Sequence, residues 1–220
     1  IKTLTNPNVN WMYRAEPSHW TGGRIIDVPR GKTLGGSSSI NGHIYNRGQR
    51  MDFNNWSQRG NQGWGYADVL PYFRRCEEKI GAPAEDTFRG GEGPLKVTDL
   101  NYNHPLCEAF MEGAGQIGIP RNADYNGAVQ EGISYVQRTA YRRRRVSTAR
   151  AFLKPAKSRP NLTVRTNAHV TQILMKSGRA IGVAYAKGGR GGRVTEVWAS
   201  QEVILSGGAI NSPQLLQISG

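Results

Sequence analysis

Residues 31 to 48 read Gly-Lys-Thr-Leu-Gly-Gly-Ser-Ser-Ser-Ile-Asn-Gly-His-Ile-Tyr-Asn-Arg-Gly, and this stretch constrains the chain more than any other. Gly35 and Gly36 carry no Cβ, so the backbone there is free to take φ > 0 and a planar ring or a diphosphate meets the main chain directly. Ser37, Ser38, Ser39 and Asn41 follow with short polar groups. A helix starting in this serine run would turn its unpaired N–H groups and a partial positive charge toward a ligand. The segment is expected to cradle a phosphate-bearing cofactor, a dinucleotide above all. A flexible Gly/Ser linker has a similar composition but no need of Leu34, Ile40 or Ile44. A P-loop is excluded, because Gly31-Lys32-Thr33 would need a glycine at position 26, where Ile26 stands.

A chain of 220 residues holds one large domain or parts of two. Ile1 and Gly220 read as cut points, the latter inside a helix, so the chain is expected to be an internal piece of a longer protein. No apolar run approaches the ~20 residues of a membrane span, and no signal peptide is visible. Cys76 and Cys107 lack metal or disulfide spacing, so no metal site is expected and a reducing compartment, cytoplasmic or at a membrane surface, is favoured. A net charge of +13 raises a nucleic-acid reading, with Arg142 to Arg145 as its focus. No repeat, zinc ligand set or interleaved aromatic platform accompanies that run. Attraction of a cofactor diphosphate accounts for the same charge.

Along the chain, residues 1–30 promise little regular structure. Tyr66 to Lys79 is expected as a helix capped by Gly65, with Val69, Leu70, Phe73 and Cys76 near one face. Residues 81–93 read as a loop, 94–99 as a strand, and Pro105 to Gly118 as a helix. The Gly-x-Gly-x-x-Gly at Gly113 to Gly118 closes that helix instead of opening one, so it is not a dinucleotide fingerprint. Ile133 to Thr139 is expected as a strand, and Ser147 as the cap of a helix reaching about Ala156. Beyond Pro160 the period becomes two. Leu162 to Thr166 reads as a strand, and Ala168–Lys176, Arg179–Lys187 and Arg193–Trp198 as a meander. Glu202 to Ser206 has the apolar run of a strand buried on both faces, followed by a glycine turn and a helix opening at Ser212-Pro213.

The pattern Pro29-Arg-Gly-Lys-x-Leu-Gly-Gly-Ser-Ser-Ser-Ile-Asn-Gly42, with Tyr45, Arg47-Gly48 and Asp52-Phe53, resembles the first signature of the glucose–methanol–choline family of FAD-dependent alcohol oxidoreductases. The string Gly208-Ala209-x-x-Ser212-Pro213-x-Leu215-Leu216-x-x-Ser219-Gly220 is similar to the second, and Asn10-Trp11-x-Tyr13 and Gly23-Arg24 also fit. Residues 124–156 resemble choline-dehydrogenase-like and broader alcohol-dehydrogenase members.

The resemblance implies a mixed α/β fold, in which part of a Rossmann-like FAD-binding domain (residues 1–88 and 161–220) is interleaved with part of an antiparallel-sheet substrate domain (residues 89–160). It places Gly36, Ser37, Asn41, Gly42 and Ile44 against FAD, Asn41 and Gly42 nearest the isoalloxazine, and the backbone of Val170 against the adenine. Ala209 is a weaker candidate. Some members attach the flavin through a histidine at the position of Ile40, so noncovalent FAD is expected here. His43, three residues on, departs from the usual small or apolar residue. The implied reaction oxidises a primary alcohol to an aldehyde by hydride transfer to flavin N5, with oxygen or a quinone as electron acceptor. The family's catalytic base, a histidine far downstream, matches no position in the chain, and its dinucleotide fingerprint is expected upstream of Ile1. A noncatalytic flavin-binding relative and a nucleic-acid module remain as alternatives.

Overall fold

The computed structural model describes residues 3–220, with helices and strands mixed. The chain divides into two compact units, Ile1–Arg159 and Pro160–Gly220.

The first unit opens on a short hairpin, β1 (Tyr13–Ala15) with β2 (Ile26–Val28), in a region expected to be irregular. Buried Asn10 holds the hairpin's base: its Oδ1 accepts from the N–H groups of Met12 at 3.1 Å and Arg30 at 2.9 Å. Helix α1 (Arg50–Gln58) was not foreseen, because its sequence is largely polar with no clear apolar period; Asp52 Oδ2 caps it by accepting from Gln49 N at 2.8 Å. Helix α2 (Tyr66–Cys76) starts at Gly65 as expected and half-buries Val69, Leu70, Phe73 and Cys76. Phe53 of α1 meets Phe73 edge-on at 5.4 Å, an aromatic contact that contributes on the order of 1 kcal/mol beyond the area it buries.

The helix was expected to reach Lys79 but ends at Cys76, because Glu77–Lys79 (β3) pairs in parallel with β4 (Leu95–Val97). In that ladder Glu77 lies fully buried in the interior. Helix α3 (Pro105–Gln116) has proline in its first turn and ends before Gly118 at φ +87°, so the Gly-x-Gly-x-x-Gly copy lies within and just after it.

Ile133 to Thr139 is not a strand. It makes only isolated bridges, Arg121 to Ile133 and Arg138 to both Ile44 and Thr98, because this segment crosses between several elements instead of running beside one. The neighbouring hairpin β5 (Ala140–Tyr141) and β6 (Arg144–Arg145) turns at Arg142 and Arg143. The helix foreseen after Ser147 is present, but its Ala149–Leu153 portion is π-helical before α4 (Lys154–Ala156).

In the second unit the meander forms as expected from β7 (Ala168–Lys176), β8 (Arg179–Lys187) and β9 (Val194–Trp198). Helix α5 (Gly208–Ile218) packs on β7, where Ser219 Oγ accepts from Ile173 N at 2.9 Å. It begins four residues before Ser212, so Pro213 lies inside it and Ser212 is not its cap. Leu162 to Thr166 and Glu202 to Ser206 are not strands, since neither has a ladder partner among the described residues, and Ile204 is 77% exposed. A parallel strand exists only through bonds to its neighbours.

Candidate functional site

The glycine-rich loop folds on its own short polar groups. Gly36–Ser39 is one 3-10 turn, entered through Gly35 at φ +86° and Gly36 at φ +53°. All three serine hydroxyls are engaged within the protein, Ser37 and Ser39 by the loop itself and Ser38 also by Thr148. Ser37 Oγ accepts from Gly31 N at 3.1 Å, Ser38 Oγ donates to Gly35 O and accepts from Thr148 N at 2.9 Å, and Ser39 Oγ donates to Leu34 O at 2.8 Å. Gly31 lies so close to the turn that a Cβ there would sit 2.2 Å from Gly36 O. Gly36 and Gly42 are the opposite case, with nothing within 4 Å of where a Cβ would be. The loop is therefore tight behind and open in front.

Asn41 follows the turn and is exposed. Its Oδ1 accepts from His43 N at 3.0 Å and from Arg145 Nη1 at 2.8 Å, while Arg145 Nη2 donates to its carbonyl at 2.7 Å. Ile40 is in the core at 7% exposure, whereas Ile44 is 59% exposed and bridges to Arg138. Gly36, Ser37, Asn41, Gly42 and Ile44 are thus gathered on one loop of the first unit. Val170 belongs to the second unit, in β7 opposite Tyr185 and beside a bulge. His43 has φ +59°. Burial first, then the Arg145 and Arg138 guanidiniums, hold its imidazole below the ordinary 6.5, so it is neutral at pH 7.

Behind the loop lies a buried ionic network that sequence reasoning missed. Glu77 is fully buried, paired with Arg47 and with Arg89, whose Nε lies 2.7 Å from Glu77 Oε1. Arg89 Nη1 also donates to Asp124 Oδ1 at 2.6 Å, Oδ2 at 2.8 Å and Gln137 Oε1 at 2.9 Å. Asn126 completes it, its Oδ1 accepting from Arg47 N at 2.9 Å. Burial alone would raise the Glu77 carboxyl, but the arginines outweigh it and hold the group below the usual carboxylate range. The signal available in the sequence was two arginines and two acids in otherwise apolar or turn contexts, which no local spacing connects.

Tyr45 packs against this network, its hydroxyl accepting from Arg47 Nε at 3.3 Å. Burial, with the Glu77 charge adding to it, pushes its phenol from 10.0 up to about 12. A raised folded value favours the protonated form. Its stabilisation is present below pH 10 and is lost as pH rises toward 12, about 2–3 kcal/mol for a shift of this size. Chemical unfolding followed across that window is expected to show the decline, and Tyr45→Phe to remove that part of it.

No helix among the described residues is long and apolar enough to cross a membrane, and they include no group of three or more His, Cys, Asp or Glu that could hold a metal ion.

Comparison with known proteins converges on one family. The GMC oxidoreductase family profile matches residues 12–220. The chain is 44% identical to mitochondrial choline dehydrogenase of Mus musculus over all of this chain and 36% of that protein, and 47% identical to oxygen-dependent choline dehydrogenase of Sinorhizobium fredii over 96% of this chain and 37% of that protein. It therefore spans little more than a third of the length of these relatives. Among solved structures, pyridoxine 4-oxidase from Mesorbium loti superposes with a TM-score of 0.87 at 32% identity, covering 96% of this chain and 41% of that one. An FAD-dependent oxidoreductase from Chaetomium thermophilum gives 0.86 at 28% identity, covering 98% and 41%. The loop at residues 31–48 lies inside the matched region, and the chain belongs to the GMC oxidoreductase family.

Proposed function

We propose that this chain forms the flavin-facing part of an alcohol oxidoreductase that takes a primary alcohol to the aldehyde. The observation that carries the reading is the open face of the loop: Gly36 at φ +53° and Gly42 both leave room where any side chain would intrude. FAD, when bound, supplies the hydride acceptor at its N5. Gly36 and Gly42 would admit it to the backbone, with Ser37, Asn41 and Ile44 beside it on the same loop and Val170 offering its main chain to the adenine. Arg145 orients Asn41 through both its side-chain and backbone oxygens, so the amide is presented in one geometry. Because Ile40 is apolar and buried, it offers no nucleophile, and the flavin is held without a covalent bond. In this reading residues 1–88 and 161–220 serve the FAD side and 89–160 the substrate side. No residue of this chain is assigned as the catalytic base. The relatives named for choline make the substrate a small alcohol, and one of them, named as oxygen-dependent, suggests oxygen as the acceptor, with a quinone as the other option.

The test is to isolate the natively produced protein, record its flavin absorbance and assay choline and simple primary alcohols. Acid precipitation is expected to release the flavin into solution. A colourless protein inactive on every alcohol would overturn the reading, and flavin retained in the pellet would overturn its noncovalent part. Asn41→Leu removes the acceptor for His43 N and Arg145 Nη1 together with the amide proposed to face the flavin, and is expected to lower FAD affinity by tenfold or more. Full flavin absorbance after dilution would take Asn41 out of the site.

A further inference from the structure

Beside the loop lies a cleft of about 860 Å³, bounded by His43, Asp99, Tyr102, Arg138 and the hairpin residues 141–145. Its size is that of a small-molecule site, for which volumes of roughly 300–1,000 Å³ are usual. Its charge is one-sided. Five guanidiniums line it, those of Arg138 and Arg142 to Arg145, against the single carboxylate of Asp99, which is already paired with Lys79 Nζ at 2.6 Å. None of the five arginines takes part in an ion pair among the described residues. Arg145 spends its donors on the neutral oxygens of Asn41 and Ser38, which leaves its charge uncompensated.

Two further observations concern the arginines around this space. Arg138 donates through Nη2 to Asn101 Oδ1 at 3.1 Å, yet its Nε is buried with no hydrogen-bond partner. Buried donors are almost always satisfied, and Arg138 is one of the residues that line the cleft. The hairpin tip also holds Arg142 at φ +47° and Arg143 at φ +61°, where Asn-Gly would be the unstrained choice. Both departures from local preference place guanidiniums around the same space. Tyr102 and Tyr141 supply apolar wall.

We propose that this cleft binds the carboxylate of an anionic alcohol, with Arg138 and Arg144 as its anchors, so that the protein takes hydroxy acids as substrates. The inference rests on the oxidoreductase reading and deepens it. Arg145 ties the cleft directly to Asn41, so an anchored hydroxy acid has its carboxylate in the cleft and its chain directed to the loop. Arg–carboxylate bonds are charge-assisted and bidentate, which fixes direction as well as affinity. The same field repels a quaternary ammonium, setting this protein apart from relatives named for choline. An extended nucleic-acid strand suits the concave shape less well than a small anion does.

The test uses the natively produced flavoprotein with 4-hydroxybutanoate, butan-1-ol and choline. The expected order of kcat/KM is 4-hydroxybutanoate first, the advantage residing in KM and shrinking as salt is raised. Arg138→Gln and Arg144→Gln are each expected to lower kcat/KM for 4-hydroxybutanoate by about tenfold more than for butan-1-ol, as loss of a charge-assisted hydrogen bond implies. Arg144 is exposed, so its variant is expected to keep the native circular dichroism. Butanoate, which has no hydroxyl, is expected to bind by calorimetry and to lose binding in the double variant. Turnover of butan-1-ol and choline without preference for 4-hydroxybutanoate would sink the proposal while leaving the oxidoreductase reading intact. If no alcohol is oxidised, that reading fails, and calorimetry still decides the cleft: no heat with butanoate overturns it. Tight, Arg144-dependent binding of an oligonucleotide in place of butanoate would likewise overturn it.

Discussion

Arg89→Met is expected to lower the stability of the first unit by about 3–5 kcal/mol, the usual result of removing one partner from a buried ion pair. The guanidinium is fully buried and holds Glu77, Asp124 and Gln137 together, so its loss leaves the fully buried Glu77 carboxylate with Arg47 as its one cation and takes from half-buried Asp124 its ion-pair partner. Domains are commonly stable by only ~5–15 kcal/mol, so this single change removes a large share of the total. Arg89→Lys is not expected to rescue it, because one ammonium does not reproduce the fork that reaches Glu77 and Asp124 at once. Urea unfolding followed by tryptophan fluorescence gives the comparison. An unchanged midpoint for Arg89→Met would show that the network is solvated and contributes little. Glu77→Gln combined with Arg89→Gln is expected to cost less than the sum of the single changes, since the two residues share one interaction.

The second large effect concerns cofactor uptake. Gly36→Val is expected to abolish FAD binding in the natively produced protein while the fold persists. The space beside Gly36 is empty of protein, so the valine meets nothing internal, and the cost in the fold is backbone strain at φ +53°, about 1–3 kcal/mol. Gly191→Val, at φ +83° in the hairpin between β8 and β9, imposes similar strain with equally open surroundings and is expected to leave flavin content unchanged. Gly31→Ala separates the two roles of glycine here. Its methyl would lie 2.2 Å from Gly36 O, so the turn itself has to move, and both melting temperature and flavin content are expected to fall. Flavin content and thermal melts of the three variants decide the matter. Equal tolerance of valine at 36 and 191 would mean that the loop's open face does not receive the cofactor.

What the sequence determined by itself is whatever follows from neighbours in the chain. The alternation after Asn167 yields the meander, since period two and Gly-containing turns specify antiparallel pairing locally. Gly65 with Asp68 starts α2, and Pro105 with Gly118 brackets α3. The loop at residues 31–48 announces itself through its glycines and serines, although not that the serine hydroxyls would serve the turn. Tertiary structure decided the rest. Where α2 stops depends on β4, some eighteen residues further on, which draws Glu77–Lys79 out of the helix and into a ladder. Ile133 to Thr139 has a strand's composition but meets its partners one at a time, and Glu202 to Ser206 has no partner among the described residues to make it a strand. The ionic network joins positions 47, 77, 89, 124 and 137, and the arginine cleft joins 43, 99 and 138 to 142–145. Charged side chains have no periodicity to betray their burial. Only the folded chain brings them within the 3 Å at which one charge offsets another.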